Sequence, residues 1–150
     1  MSRDAVLEQI RRDLDPAEYD EIRELWKTHS IAEDNRDLPG LISTLTEDCV
    51  YELIPNGPRW EGHEGAARFY MELLGAFPDI RFDLQSIVIG PQGVVELAHV
   101  TGTHERDWLT HPATGERVEF ETVIYFPWDP EKRKFRGEQV LTAPSFPDRS

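Results

Sequence analysis

Apolar side chains return at three- and four-residue spacing after residue 15, where Ile22, Leu25, Trp26 and His29 form one stripe. The segment opens with Asp15, Pro16 and Glu18, a side chain suited to accept from the first free N–H groups followed by a proline with helical φ. A long helix is predicted, and His29 continues its apolar stripe instead of joining the charged face. Ahead of it, MSRDAVLEQIRRDLD predicts a short amphipathic helix with Val6, Leu7, Ile10 and Leu14 on one side. Leu41, Ile42 and Leu45 predict a second short helix over about residues 37–47, and CVYELIP then reads as a strand closed by Pro55 and Asn56-Gly57. Ala66, Phe69, Tyr70, Leu73 and Leu74 restore the helical period until Gly75 and Pro78 end it.

From residue 81 the period changes to two. RFDLQSIVIG, GVVELAHVTGTH, ERVEFETVIYFPW and KFRGEQVLT alternate apolar and polar residues or nearly so, separated by Pro91-Gln92-Gly93, the loop around Pro112 and Gly115, and Asp129-Pro130. Such short connections exclude parallel crossovers and imply an antiparallel meander. The predicted fold is α+β, with helices covering one face of a curved sheet. The 150 residues fit one domain, with residues 1–14 as a helical extension and 143–150 as a loose tail.

Charge narrows the partners. Sixteen Lys and Arg against 29 Asp and Glu leave −13, which repels nucleic-acid backbones and anionic membrane surfaces. No apolar run approaches the roughly 20 residues of a membrane-spanning helix, and MSRDAVLEQIRRDLD lacks an apolar signal core, so a cytoplasmic protein is expected. The single cysteine, Cys49, has no internal disulfide partner and suits a small buried position.

Several chemistries find no support. The five histidines show no tight metal-ligand spacing, so no metal is expected; glycines occur singly, and no Gly-x-Ser-x-Gly elbow is present. What remains is a set of titratable and aromatic groups scattered over elements that converge only in three dimensions. On the strand 118–126, Val118, Phe120, Ile124 and Phe126 share one face, while Glu119, Glu121 and Tyr125 share the other, which reads as facing water. His104 and Trp108 are read either as a surface histidine beside a half-buried tryptophan or as pocket residues. His29 is either a satisfied buried histidine or a functional donor, and Trp60 is a core or rim anchor in preference to a substrate platform.

The hairpin GTHERDWLTHPATGE, residues 102–116, resembles that of the SnoaL-like polyketide cyclases of the nuclear transport factor 2-like superfamily. The resemblance runs through AEDNRD, LTEDCVYELIP, WEGHEGAARFY, FPDI and the closing GEQV. It implies a cone-shaped α+β barrel, a strongly curved antiparallel sheet wrapped around the N-terminal helices, enclosing an apolar cavity within a homodimer. It further implies side-chain acid/base chemistry without a cofactor on a small hydrophobic, polyketide- or ester-like carbonyl compound, as in cyclases, isomerases and lyases. On that footing His104, Glu138 and Glu121 are the expected proton-transfer groups and His29 a donor. Trp26, Tyr51, Trp60, Phe69, Trp108 and Tyr125 are the expected pocket walls. A dimer is expected through the apolar Val118, Phe120, Ile124 and Phe126 face. Departures are specific: Arg106, Thr110 and Glu116 replace family hairpin residues, and Ala143 stands where relatives often carry an aspartate. Leu53 occupies the base position of related ketosteroid isomerases, and His29 their tyrosine position. A non-catalytic ligand-binding or dimerisation module is therefore the alternative, and a dehydratase or epoxide hydrolase a third reading.

Overall fold

Asp15 caps the long helix as its sequence predicts, its carboxylate accepting from the Ala17 N–H at 2.9 Å in a computed structural model that describes residues 2–143. The elements are α1 (Arg3–Ile10), α2 (Pro16–Asp34), α3 (Leu38–Ile42), β1 (Leu45–Leu53), β2 (Arg59–Glu61), α4 (Gly62–Ala76), β3 (Arg81–Gly90), β4 (Gly93–Thr103), β5 (Arg117–Asp129) and β6 (Lys134–Ala143). The expected tail lies, from residue 144 on, outside the described residues.

The strands form one mixed sheet in the order β2-β1-β6-β5-β4-β3. The meander β3 to β6 is antiparallel throughout, whereas β1 joins β6 in parallel, its partner being supplied from the far end of the chain. Because β2 and β3 do not pair, the sheet is curled but open at its two edges. α2 and α4 fill its concave face: Ile22, Ala66, Phe69 and Tyr70 join Val100, Ile124, Phe126 and Phe135 in one buried cluster.

Three expectations change. The short helix stops at Ile42, because Leu45 already begins the strand that runs alongside β6, pairing with Phe135. α1 buries none of its residues; Val6 and Ile10 are exposed, and Leu14 lies beyond its end. The face of β5 carrying Phe120, Ile124 and Phe126 turns inward against the helices, so it is not the dimer surface that the alternation suggested.

The junction of β1 and β6 requires a glycine. Gly137 has φ +113°, and a Cβ there would lie 2.0 Å from the Val50 carbonyl oxygen. This close approach sets the register that places Tyr51 opposite Glu138.

Candidate functional site

Between α4 and the concave face of the sheet lies a cavity of about 80 Å³. Its walls are mostly apolar, with Phe69, Phe77, Trp108, Phe120 and Val140 among them, and two carboxylates, Glu33 and Glu138, also face it. A carboxylate against such walls is costly unless it is hydrogen-bonded or protonated. The structure uses both means.

Glu138, 3 % exposed, projects inward from β6 because Val140 and Thr142, at the same strand parity, also line the cavity. Its Oε2 accepts from the Tyr70 hydroxyl at 2.6 Å and lies 3.1 Å from His29 Nε2. Since Tyr70 donates its hydrogen to Glu138, the Tyr51 hydroxyl, 3.1 Å away, is the donor to Tyr70 Oη. His29 is oriented from behind in the same way. Thr44 Oγ1 donates its only hydrogen to the Leu41 carbonyl at 2.7 Å, so it accepts from His29 Nδ1–H, also at 2.7 Å. With Nδ1 protonated, a single proton bridges Nε2 and Oε2, as imidazolium with carboxylate or as imidazole with carboxylic acid.

Glu33 stands one helical turn after His29 on α2 and lines the same cavity. Burial and the negative charge of Glu138 push its carboxyl up to about 7, against an ordinary 4.5. Burial, followed by Glu138, also raises the Tyr51 and Tyr70 hydroxyls well above their usual range, so both stay protonated as donors. His29, Glu33 and Glu138 each offer one nitrogen or oxygen within 4.8 Å of the others, a donor set that a divalent ion could also use. Sequence spacing did not foresee that cluster.

The model of the SnoaL-like domain family matches residues 18–131. The chain belongs to the SnoaL-like family. Solved structures agree in fold at low identity. A candidate SnoaL-like polyketide cyclase from Jannaschia sp. CCS1 superposes with a TM-score of 0.75 at 19 % identity, covering 87 % of this chain and 90 % of that one. AclR, a candidate hydroxylase from Streptomyces galilaeus, gives 0.66 at 22 % identity over 83 % and 90 %. IdmH, a candidate polyketide cyclase from Streptomyces antibioticus, gives 0.63 at 19 % over 81 % and 91 %. Among curated proteins no match was found. No helix among the described residues is long and apolar enough to cross a membrane.

In this SnoaL-like protein the expected site residues separate into three groups. Glu138, Phe69 and Trp108 line the cavity, and His29 backs Glu138. Tyr51 and Trp60 lie one layer behind: Tyr51 is fully buried on Tyr70, and Trp60 stacks on Trp108 with ring centroids 6.4 Å apart. The remaining four sit elsewhere. Glu121 and Tyr125 alternate with the inward Thr122, Ile124 and Phe126, so both point to the outer face. There Glu121 meets His99 at 2.6 Å, and the Tyr125 hydroxyl donates to the Gln92 carbonyl. His104 is fully buried but lies flat on Phe77, centroids 4.9 Å apart, with Phe77 itself forming the cavity wall. Trp26 faces a second space, on the other side of His29.

The hairpin's contribution to the cavity is thus Trp108. Paired backbone hydrogen bonds between Trp108 and His111 hold it, while the Gly115 N–H donates to the His104 carbonyl and the Glu105 N–H ties the loop to the end of α4. Cys49 offers no nucleophile, since burial pushes its thiol up to about 11. Glu33 and Tyr70 were missed by sequence reasoning. Glu33 carried one usable signal, its position four residues after a histidine on an apolar stripe; Tyr70 looked like any core aromatic.

Proposed function

We propose that the protein is an acid/base enzyme that moves a proton at the carbon next to a carbonyl in a small, largely apolar compound, as a cyclase, isomerase or lyase does. The observation that carries this reading is the Glu138–His29 pair, fixed by Tyr70 and Thr44 and turned toward an apolar cavity. In the proposed step the Glu138 carboxylate, with His29 behind it, takes the proton from carbon. The carbonyl oxygen gains charge as the enolate forms, and the protonated Glu33 carboxyl donates to it. Delivery of that proton from Glu138 to a different carbon, with Glu33 recovering its own, completes isomerisation; in closure the enolate carbon attacks a second carbonyl in the same molecule, Glu33 recovers its proton as the first carbonyl re-forms, and Glu138 passes its proton to the new alkoxide. A carboxyl titrating near 7 suits this role, because both of its protonation states are populated at neutral pH. A volume of about 80 Å³, against the roughly 300–1,000 Å³ of drug-sized pockets, favours a small compound over a multi-ring one.

The test begins with tryptophan fluorescence, titrating small ketones and esters against the wild type and Trp108→Phe to find compounds that enter the cavity. Turnover of those compounds is then compared in Glu138→Gln and the wild type. A loss of about 100-fold or more in kcat is expected, within the usual range for removal of a general base. Equal turnover by Glu138→Gln would contradict the assignment, and saturable binding without any turnover would favour the binding-module reading.

A further inference from the structure

On the far side of His29 lies a second space of about 140 Å³, separated from the cavity by residues that line both, Glu33 and Phe82. Its composition is unlike that of the first. Three carboxylates face it: Glu33 and Asp34 from α2 and Glu96 from β4. Three aromatic rings also line it: Trp26, Phe82 and Phe126. No lysine or arginine does.

Glu96 is the informative residue. It points inward because β4 alternates, sharing its face with Val94, Ala98 and Val100, and only 9 % of it is exposed. A carboxylate so placed usually has an ion-pair partner or several donors. Glu96 has no ion pair among the described residues, and the one donor directed at it is the Trp26 indole N–H. That N–H is buried and has no other partner among the described residues. The charged groups that act on Glu96 are further carboxylates, Glu138, Glu33 and Asp34, and with burial they push it up to about 8. The site holds acceptors and aromatic faces in excess, with His29 the one potential cation on its lining.

We propose that this acidic, aromatic pocket binds a small organic ammonium ion. Carboxylates accept from or neutralise such a head group, and ring faces attract it through their quadrupoles, most strongly where water is excluded. A bare divalent ion is served less well, since it needs a close shell of oxygen or nitrogen donors and gains nothing from rings. Asp34 and Leu84, both exposed, stand where the head group would enter. The proposal does not depend on the enzyme reading, because its test turns on Glu96 and Trp26, neither of which lines the first cavity.

Calorimetric titration of the full chain at neutral pH and low salt tests it, with choline as probe and 3,3-dimethylbutan-1-ol as the uncharged compound of matching shape. Saturable binding of choline is expected, at least tenfold tighter than that of the alcohol and at least tenfold weaker in Glu96→Gln. Glu121→Gln, changed on the outer face, should bind as the wild type does. Glu96→Gln keeps the shape while removing the capacity to ionise beside a bound cation, and circular dichroism confirms that it folds. Choline binding should also change tryptophan fluorescence, and Trp26→Phe should abolish that change. No saturable choline binding, equal affinity for the alcohol, or displacement of choline by manganese(II) at equimolar concentration would each overturn the proposal. Failure here leaves ketone turnover in the first cavity untouched, so the two readings fall separately.

Discussion

His29 owes its chemistry to two residues far from each other in sequence. Thr44 fixes its tautomer, and Glu138, 109 positions away, shares its other nitrogen. Replacing Thr44 by valine keeps the shape but leaves the buried Nδ1–H without an acceptor. Such a loss costs about 1–3 kcal/mol. Chemical denaturation should therefore show Thr44→Val destabilised by about that amount and Thr44→Ser close to wild type; equal stability of all three would refute the tautomer assignment. The sequence marked His29 as unusual, a histidine continuing an apolar stripe, but period alone cannot name a partner on a strand formed a hundred residues later. For Glu121 the alternation of β5 was informative and pointed to water, whereas the proton-transfer role came from the resemblance together with ionisable groups on neighbouring strands. The side chain that a hydrogen-bonded surface pair with His99 holds outside cannot also reach the interior.

At the level of elements, β3 to β6 were legible because each is long enough for its alternation to show, and each connection carries its own turn residues. β2 has three residues, too few for any period, and the boundary between α3 and β1 is set by pairing with β6, which no local pattern announces. The same pairing depends on Gly137. In Gly137→Ala the new methyl would meet the Val50 carbonyl and the backbone would keep an unfavourable φ, so β6 must shift and take Glu138 with it. Thermal melting should show a loss of several degrees, of the size that about 1–3 kcal/mol produces in a domain of this length. Turnover should fall together with stability. Retention of both would show that the β1–β6 register is not what places Glu138.

Across the whole molecule, three carboxylates, Glu33, Glu96 and Glu138, lie near one another with only His29 as a potential cation, in a chain that already carries −13. Glu33 and Glu96 rise to about 7 and about 8 in the folded protein, from 4.5. The folded state therefore holds protons that the unfolded chain releases, and the stability these groups contribute is complete below about pH 4.5 and is lost as pH rises through 7 and 8. Calorimetric Tm should fall between about pH 5.5 and about pH 8.5, and Glu96→Gln should flatten that decline; a Tm that rises over this interval would contradict the upward shift of the two carboxyls. The central claim is proton transfer to and from carbon by a carboxylate in the cavity. It is met most directly by dissolving a ketone that enters the cavity in deuterium oxide with catalytic protein and following loss of its α-proton signal by NMR. Exchange by the wild type and by Glu121→Gln, with none above background in Glu138→Gln, is the predicted result. Equal exchange in all three, or exchange in none, would contradict it.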